Sequence, residues 1–149
     1  MTVNSNVVLY ATQKAFYDCV NIASGTAANT YTLVTTGGTN ASLITDILFR
    51  SADATARLFN IIIAPTGSQA TGKYSVVQIS IPANSGNNGS TAIASLAALA
   101  SQLFDLDLAG NRVITLEGAG SSGTEISIYV QNTTLTAGAI NVMAKRRDY

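Results

Sequence analysis

Two apolar runs, Ser42 to Arg50 and Arg57 to Ala64, flank a short polar insert, Ser51-Ala52-Asp53-Ala54-Thr55-Ala56. In the first run Leu43, Ile47 and Phe49 share one phase of a two-residue period. Ile44, Asp46, Leu48 and Arg50 share the other. Alternation among β-branched and aromatic residues, broken by a polar turn, predicts a β-hairpin. In the second run Phe59, Ile61 and Ile63 point one way, and Leu58, Asn60 and Ile62 the other. Both faces are largely apolar, which predicts a strand covered on both sides, at a sandwich centre or a subunit contact.

The rest of the chain repeats the β pattern at short intervals. Val7 to Ala11 and Ala15 to Ile22 are candidate strands on either side of a Thr-Gln-Lys break, and Thr30 to Thr36 alternates in β-forming residues. Lys73 to Ile81 is a strand stopped by Pro82, which cannot donate to a ladder. Asp105 to Leu108 and Arg112 to Leu116 flank Ala109-Gly110-Asn111. Thr124 to Val130 predicts Ile126, Ile128 and Val130 inward, with Glu125, Ser127 and Tyr129 outward, and Ala137 to Ala144 is the last strand. Glycine- and asparagine-rich stretches at 24–29, 37–40, 65–72, 83–90 and 118–123 read as loops.

One segment has a helical period. Ser90 or Thr91 is placed to cap a stretch whose apolar positions are Ile93, Leu96, Ala97, Ala100 and Leu103, a single stripe on a short Ala-rich helix. A crossover helix closing one end of the sandwich is the favoured reading. About eight to ten short strands with regular turn signals predict an all-β fold, an antiparallel β-sandwich of jelly-roll type with one short helix. Residues 1–149 form a single domain, with residues 1–6 as a polar N-terminal arm and 145–149 as a C-terminal tail.

Charged residues make up 11% of the chain and cancel to a formal net charge of zero. That balance predicts no direct nucleic-acid partner, which would need a basic excess. Ser, Thr, Asn, Gly and Ala supply much of the polar surface, a composition suited to association with copies or a partner. No apolar run approaches the roughly 20 residues of a membrane span, and no signal-peptide pattern opens the sequence. The expectation is a chain made in a cytoplasm, without a membrane partner.

Catalytic chemistry has little to work with. There is no histidine, and the lone cysteine, Cys19, alternates with apolar neighbours as a small buried residue would. Asp105 and Asp107, followed by Asn111 and Glu117, form the densest carboxylate group. Calcium needs six to eight oxygens, usually from one tight loop, and a solvated strand face is the simpler reading. No phosphate-cradling glycine spacing occurs before a helix. The chain is therefore read as a non-enzyme, with no cofactor and no metal.

The tail is the most charged stretch. Lys145, Arg146 and Arg147, with Tyr149 beyond Asp148, are the candidate partner contacts. A frayed, solvated terminus and a docking arm are both open here, since Arg and Tyr are favoured interface anchors. On either reading the tail is dispensable for folding.

The order of segments resembles a known group. A TGGTNAS turn precedes the SADATARLFNIII segment, then GKYSVVQISIPANSG, the Ala/Leu stretch, LDLAGNRVITLEGAGSSGTEISIYV and a terminal Asp-Tyr. Over residues 30 to 149 this resembles the jelly-roll capsid decoration, or cement, proteins of tailed bacteriophages. Its most specific pieces are Asp53 to Arg57, Ile81-Pro82-Ala83 and Asp148-Tyr149. Arg146-Arg147 stand where the group carries glycines. The resemblance implies a structural virion protein on the capsid exterior that bridges neighbouring capsid subunits and stabilises the shell. Its implied partners are the major capsid protein and copies of itself, as a dimer or trimer. The alternative is a phage tail or fibre module binding a host-surface glycan. It is weakened by the lack of tryptophan and by tyrosines such as Tyr74 and Tyr129 lying on different strands.

Overall fold

A computed structural model describes residues 14–118, 125–134 and 136–148. The arm 1–6, the candidate strand Val7 to Ala11, Tyr149 and most of the loop 118–123 lie outside the described residues. The elements run β1 (Lys14–Ile22), β2 (Tyr31–Thr36), β3 (Ala41–Ser51), β4 (Arg57–Pro65), β5 (Ser75–Ile81) and β6 (Ala94–Ser95). A one-turn helix α1 (Leu96–Leu99) and a 3-10 turn at Ser101–Leu103 follow, then β7 (Asp105–Leu106), β8 (Arg112–Glu117), β9 (Ile126–Asn132) and β10 (Ile140–Asp148).

All pairings are antiparallel, and four of them are nested. β1 pairs β10, β2 pairs β9, β3 pairs β8 and β4 pairs β5. That is one long ribbon of paired strands, and rolling it brings β10 against β3 and β9 against β4. The result is a six-stranded sheet in the order β1-β10-β3-β8-β7, with β6 added to β3, and a four-stranded sheet in the order β2-β9-β4-β5. The fold is an antiparallel β-sandwich of jelly-roll type.

β3 and β4 do not form the hairpin that their alternation predicts. They lie in different sheets, and the residues between them turn a corner across the sandwich. Packing explains the difference. Phe49 of β3 and Phe59 of β4 are both fully buried, with ring centroids 6.5 Å apart at a 41° tilt. Two facing sheets bring these rings together from opposite sides of the core. Ile44, Ile47, Ile61, Ile81, Leu116, Ile128, Val130, Ile140 and Val142 complete the same cluster.

The phase of β3 also shifts. Lys145 is opposite Asp46 while Arg146 is opposite Ile44, so Thr45 is an extra residue in a β-bulge. Ile44, Ile47 and Phe49 therefore all point into the core despite their mixed parity, and Leu43 falls on the outer side. A similar bulge in β2 lies between Leu33 and Thr35, where Val34 and Thr35 are both buried.

The second strand is covered on both faces for part of its length. Ile62, Ala64 and Tyr129 form a small outer cluster with Tyr31. The connection after β4 closes over it: Gly67 N donates to the Tyr129 hydroxyl at 2.9 Å, and Thr66 Oγ1 lies 2.6 Å from Ser127 Oγ. Ser127 and Tyr129, expected to face outward, are consequently buried. Leu58 is 43% exposed at the other end of the strand.

Only one turn of the expected helix forms. Ser85 Oγ accepts from Ala94 N at 2.8 Å and donates to Phe49 O at 3.1 Å, and Ala94 pairs with Phe49 as a strand. Asp46 takes the next residues, accepting from Ser95 Oγ at 2.8 Å and Ala97 N at 3.1 Å. Tertiary hydrogen bonds hold 94–95 extended, so the turn starts at Leu96. Leu96 and Ala100 enter the core, whereas Ile93 is 42% exposed.

Replacing Phe59 with Ala removes one ring of the inter-sheet pair and leaves a cavity. The expected loss is about 3–5 kcal/mol, read as a lower denaturant midpoint. An unchanged midpoint would contradict the placement of Phe59 in the core.

Candidate functional site

The predicted tail is not a tail. Lys145, Arg146, Arg147 and Asp148 are the last four residues of β10, which runs between β1 and β3. The charged run misleads because alternate residues face opposite ways: Arg146 turns toward Asp18 and Thr36, while Lys145 and Arg147 take the other phase of the strand. The Arg146 side chain is only 17% exposed. Its Nη1 donates to Thr36 O at 2.9 Å and sits 2.9 Å from Asp18 Oδ2, and its Nε lies 3.0 Å from Asp148 Oδ1. The guanidinium also stands 5.2 Å from the centre of the Phe16 ring.

Both carboxylates are tied further. Thr35 Oγ1 donates to Asp18 Oδ2 at 2.5 Å, and Ser42 Oγ donates to Asp148 Oδ1 at 2.5 Å while accepting from Gly38 N at 2.7 Å. Arg146 thus neutralises two acids from β1 and β10 and links them to β2. It is a structural cation rather than an open anchor for a partner. Of the predicted contact set, Arg147 is exposed, Lys145 is half-buried and Tyr149 lies outside the described residues.

A second charged centre sits at the corner between β3 and β4. Asp53 is 1% exposed, and its carboxylate takes Arg57 Nε at 2.6 Å, Arg57 Nη2 at 3.2 Å and Thr55 N at 2.9 Å. Ala137 N at 2.8 Å and Gly138 N at 3.2 Å, from the loop entering β10, complete the set. A side chain at Gly138 would meet the Asp53 backbone at 2.5 Å, so this approach requires glycine. Burial by itself raises the Asp53 carboxyl, but Arg57 and the three backbone donors outweigh it. They hold it well below the usual carboxylate range.

The carboxylates raised as a metal group behave differently. Asp107 Oδ1 accepts from Ala109 N at 2.9 Å and Asn111 N at 2.7 Å, and its Oδ2 accepts from Asn111 Nδ2 at 3.1 Å. Asn111, through its backbone first and its side chain next, holds this carboxyl below its ordinary value. The residue is engaged in shaping the β7–β8 turn. Among the described residues no three His, Cys, Asp or Glu side chains come together as a metal set.

The outer side of the six-stranded sheet is open to a partner. Cys19 is exposed there, contrary to the expectation of a buried thiol, because its parity on β1 is opposite to that of Val20 and Ile22, which pack on the core. It lines a concavity of about 410 Å3 with Leu48, Arg50, Ile93 and Met143. Farther along the same sheet the β7–β8 turn carries Leu106 at 70% exposure and Leu108 fully exposed. Sequence reasoning missed both features. A lone Leu in a turn gives no signal of its direction, and the concavity joins residues distant in the chain.

The molecule is therefore a jelly-roll sandwich whose open chemistry is apolar and polar surface. Comparison of the chain with protein-family models, with curated proteins and with solved structures finds no match. No helix among the described residues is long and apolar enough to cross a membrane.

Two outcomes follow for these centres. Truncation after Ala144 removes the pairings with Lys14 to Tyr17 on β1 and Ser42 to Asp46 on β3, and cooperative thermal unfolding should be lost. An intact transition would restore the free tail. Asp53→Asn should cost about 3–5 kcal/mol at neutral pH, as for one partner removed from a buried pair. Because the folded carboxyl lies below the unfolded value of about 4, its stabilisation is complete above that pH and fades as pH falls below it. The variant should show a flatter decline in acid, and an acid profile equal to the parent's would contradict this.

Proposed function

We propose that this chain is a structural virion protein that binds the outer surface of a bacteriophage capsid and bridges neighbouring capsid subunits. Its partners on this reading are the major capsid protein and further copies of the chain. The observation that carries the reading is the pairing of a jelly-roll sandwich with an outer sheet side that presents Leu106, Leu108 and the Cys19 recess to solvent. Jelly rolls build viral capsid domains and lectins alike, so the step from fold to role is an analogy. The resemblance over residues 30 to 149 and the zero net charge favour the capsid side of it.

The mechanism is mass action. A protein that binds the assembled shell and not its dissociated subunits lowers the free energy of the shell by its binding free energy. Modest contacts repeated over a symmetric surface add through multivalency. No bond is made or broken.

The glycan-binding alternative has less support. Tyr31 and Tyr129 share the outer side of the four-stranded sheet, but Tyr129 is 5% exposed and the Lys73 ammonium lies 5.7 Å from the Tyr31 ring centre. Tyr74, 68% exposed just before β5, and Tyr17, 63% exposed on β1, flank different sheets and share no platform.

Quantitative mass spectrometry of purified particles tests the reading. Copy numbers comparable to the shell protein are expected. A handful of copies per particle would favour a tail component, and absence from the particle would overturn both.

A further inference from the structure

The outer side of the six-stranded sheet carries a projection and a recess of matching character. The projection is the β7–β8 turn, 105–111. Its backbone is closed by Asp107 N donating to Asn111 O and Gly110 N donating to Asp107 O, both at 2.9 Å, and the Asp107 carboxylate binds it from inside. A turn held this way loses little conformational freedom on binding. Yet it presents Leu108 wholly to solvent, with Leu106 at 70% beside it and the exposed Asp105 carboxylate next to them. Leucines on a preorganised turn are apolar surface that the monomer does not use.

The recess lies across the sheet, where β1, β10 and β3 meet the segment before β6. Cys19, Leu48, Met143 and Ile93 make its apolar part, and its volume of about 410 Å3 exceeds a leucine side chain. Arg50 stands at its rim. Its Nε donates to Gly86 O at 3.2 Å and its Nη2 to Asn87 Oδ1 at 3.0 Å, so its hydrogen-bond partners are neutral and its charge is uncompensated by them. Asn21 Nδ2 donates to Asn141 Oδ1 at 2.6 Å on the other side, fixing that wall.

We propose that the β7–β8 turn of one copy seats in this recess of a second copy, Leu108 entering between Leu48, Met143 and Ile93 with Asp105 facing Arg50. Apolar surface meets apolar surface, and the Asp105 carboxylate meets the Arg50 guanidinium. The chain's zero net charge adds no long-range repulsion between copies. Projection and recess are different patches of one molecule, so the contact is head-to-tail. Such contacts generate rings where the rotation closes and open chains where it does not. The inference rests on the self-association part of the function above and is independent of any shell.

Cys19 makes the test direct, because it is the chain's one cysteine and it lines the recess. The purified full chain carrying Leu108→Cys is incubated briefly with oxidised glutathione, which accepts the two electrons as each disulfide forms. Each copy then holds one thiol on the projection and one in the recess. Non-reducing electrophoresis should show species beyond dimer, lost when Cys19→Ser is added. Val76→Cys, exposed on β5 at the far edge of the other sheet, should give no such ladder. Dimers that persist in the Cys19→Ser background mean projection meets projection and overturn the proposal. Wild-type dimers through Cys19 alone mean recess meets recess, and overturn it equally. Sedimentation velocity gives a second readout: Leu108→Asp, at a site outside the core, should shift the wild-type protein to monomer. A wild-type protein that is already monomeric at high micromolar concentration refutes the contact. Particle copy number bears on the shell reading and leaves this result untouched.

Discussion

The buried carboxylate of Asp53 is the constraint on which the rolled ribbon depends. A jelly roll must carry its chain from one sheet to the other, and the corner after β3 does this with a charged group in the interior. Unpaired, that charge would be prohibitive. Arg57 supplies a counter-charge, while Thr55, Ala137 and Gly138 supply backbone donors. The same oxygens that settle the corner thus hold the loop entering β10 against it. Neighbouring backbone bonds, Ala52 N to Ala139 O and Asn84 N to Asp53 O, both at 2.8 Å, extend the seam to the segment after β5. Corner, closing strand and the 84–85 loop therefore converge on one residue, through its carboxylate and its backbone.

At the opposite end of β10 a second charge does comparable work. Arg146 spans Asp18 and Asp148 and reaches the end of β2, so the edges of the two sheets are joined there by ionic and hydrogen-bonded contacts. Between the two lies an ordinary aliphatic and aromatic core. Five charged side chains, Asp18, Asp53, Arg57, Arg146 and Asp148, are spent at these two places where the topology is most demanding. The outer side of the six-stranded sheet mixes Arg50, Lys145 and Arg147 with amides, hydroxyls and apolar groups, and that surface is what the proposed structural role uses.

The fold class was legible because alternation survives in most strands and turn residues separate them. What alternation could not convey was which sheet each strand joins. Ser51 to Ala56 has the length and polarity of a hairpin turn, and only the demand that Phe49 and Phe59 face each other makes it a corner. The bulge at Thr45 hid the true inward phase of β3, and Asp46 with Ser85 overrode a genuine helical period after Thr91. The tail misled most. Lys-Arg-Arg reads as solvent-exposed until Asp18, over a hundred residues earlier, is found beside Arg146. Of the candidate contacts among the described residues, Arg147 and Lys145 remain on the outer side, and the more conspicuous apolar features there, Leu108 and the Cys19 recess, had no linear signature.

A shell-stabilising role makes one requirement that no tail or receptor role shares: bound chain must raise the stability of the shell itself. The most direct measurement is the thermal disassembly of shells lacking this chain, titrated with the purified protein. The account predicts a disassembly temperature that rises with added chain and saturates when the sites are filled, as mass action requires. A shell whose disassembly temperature is unmoved at saturating chain would contradict it.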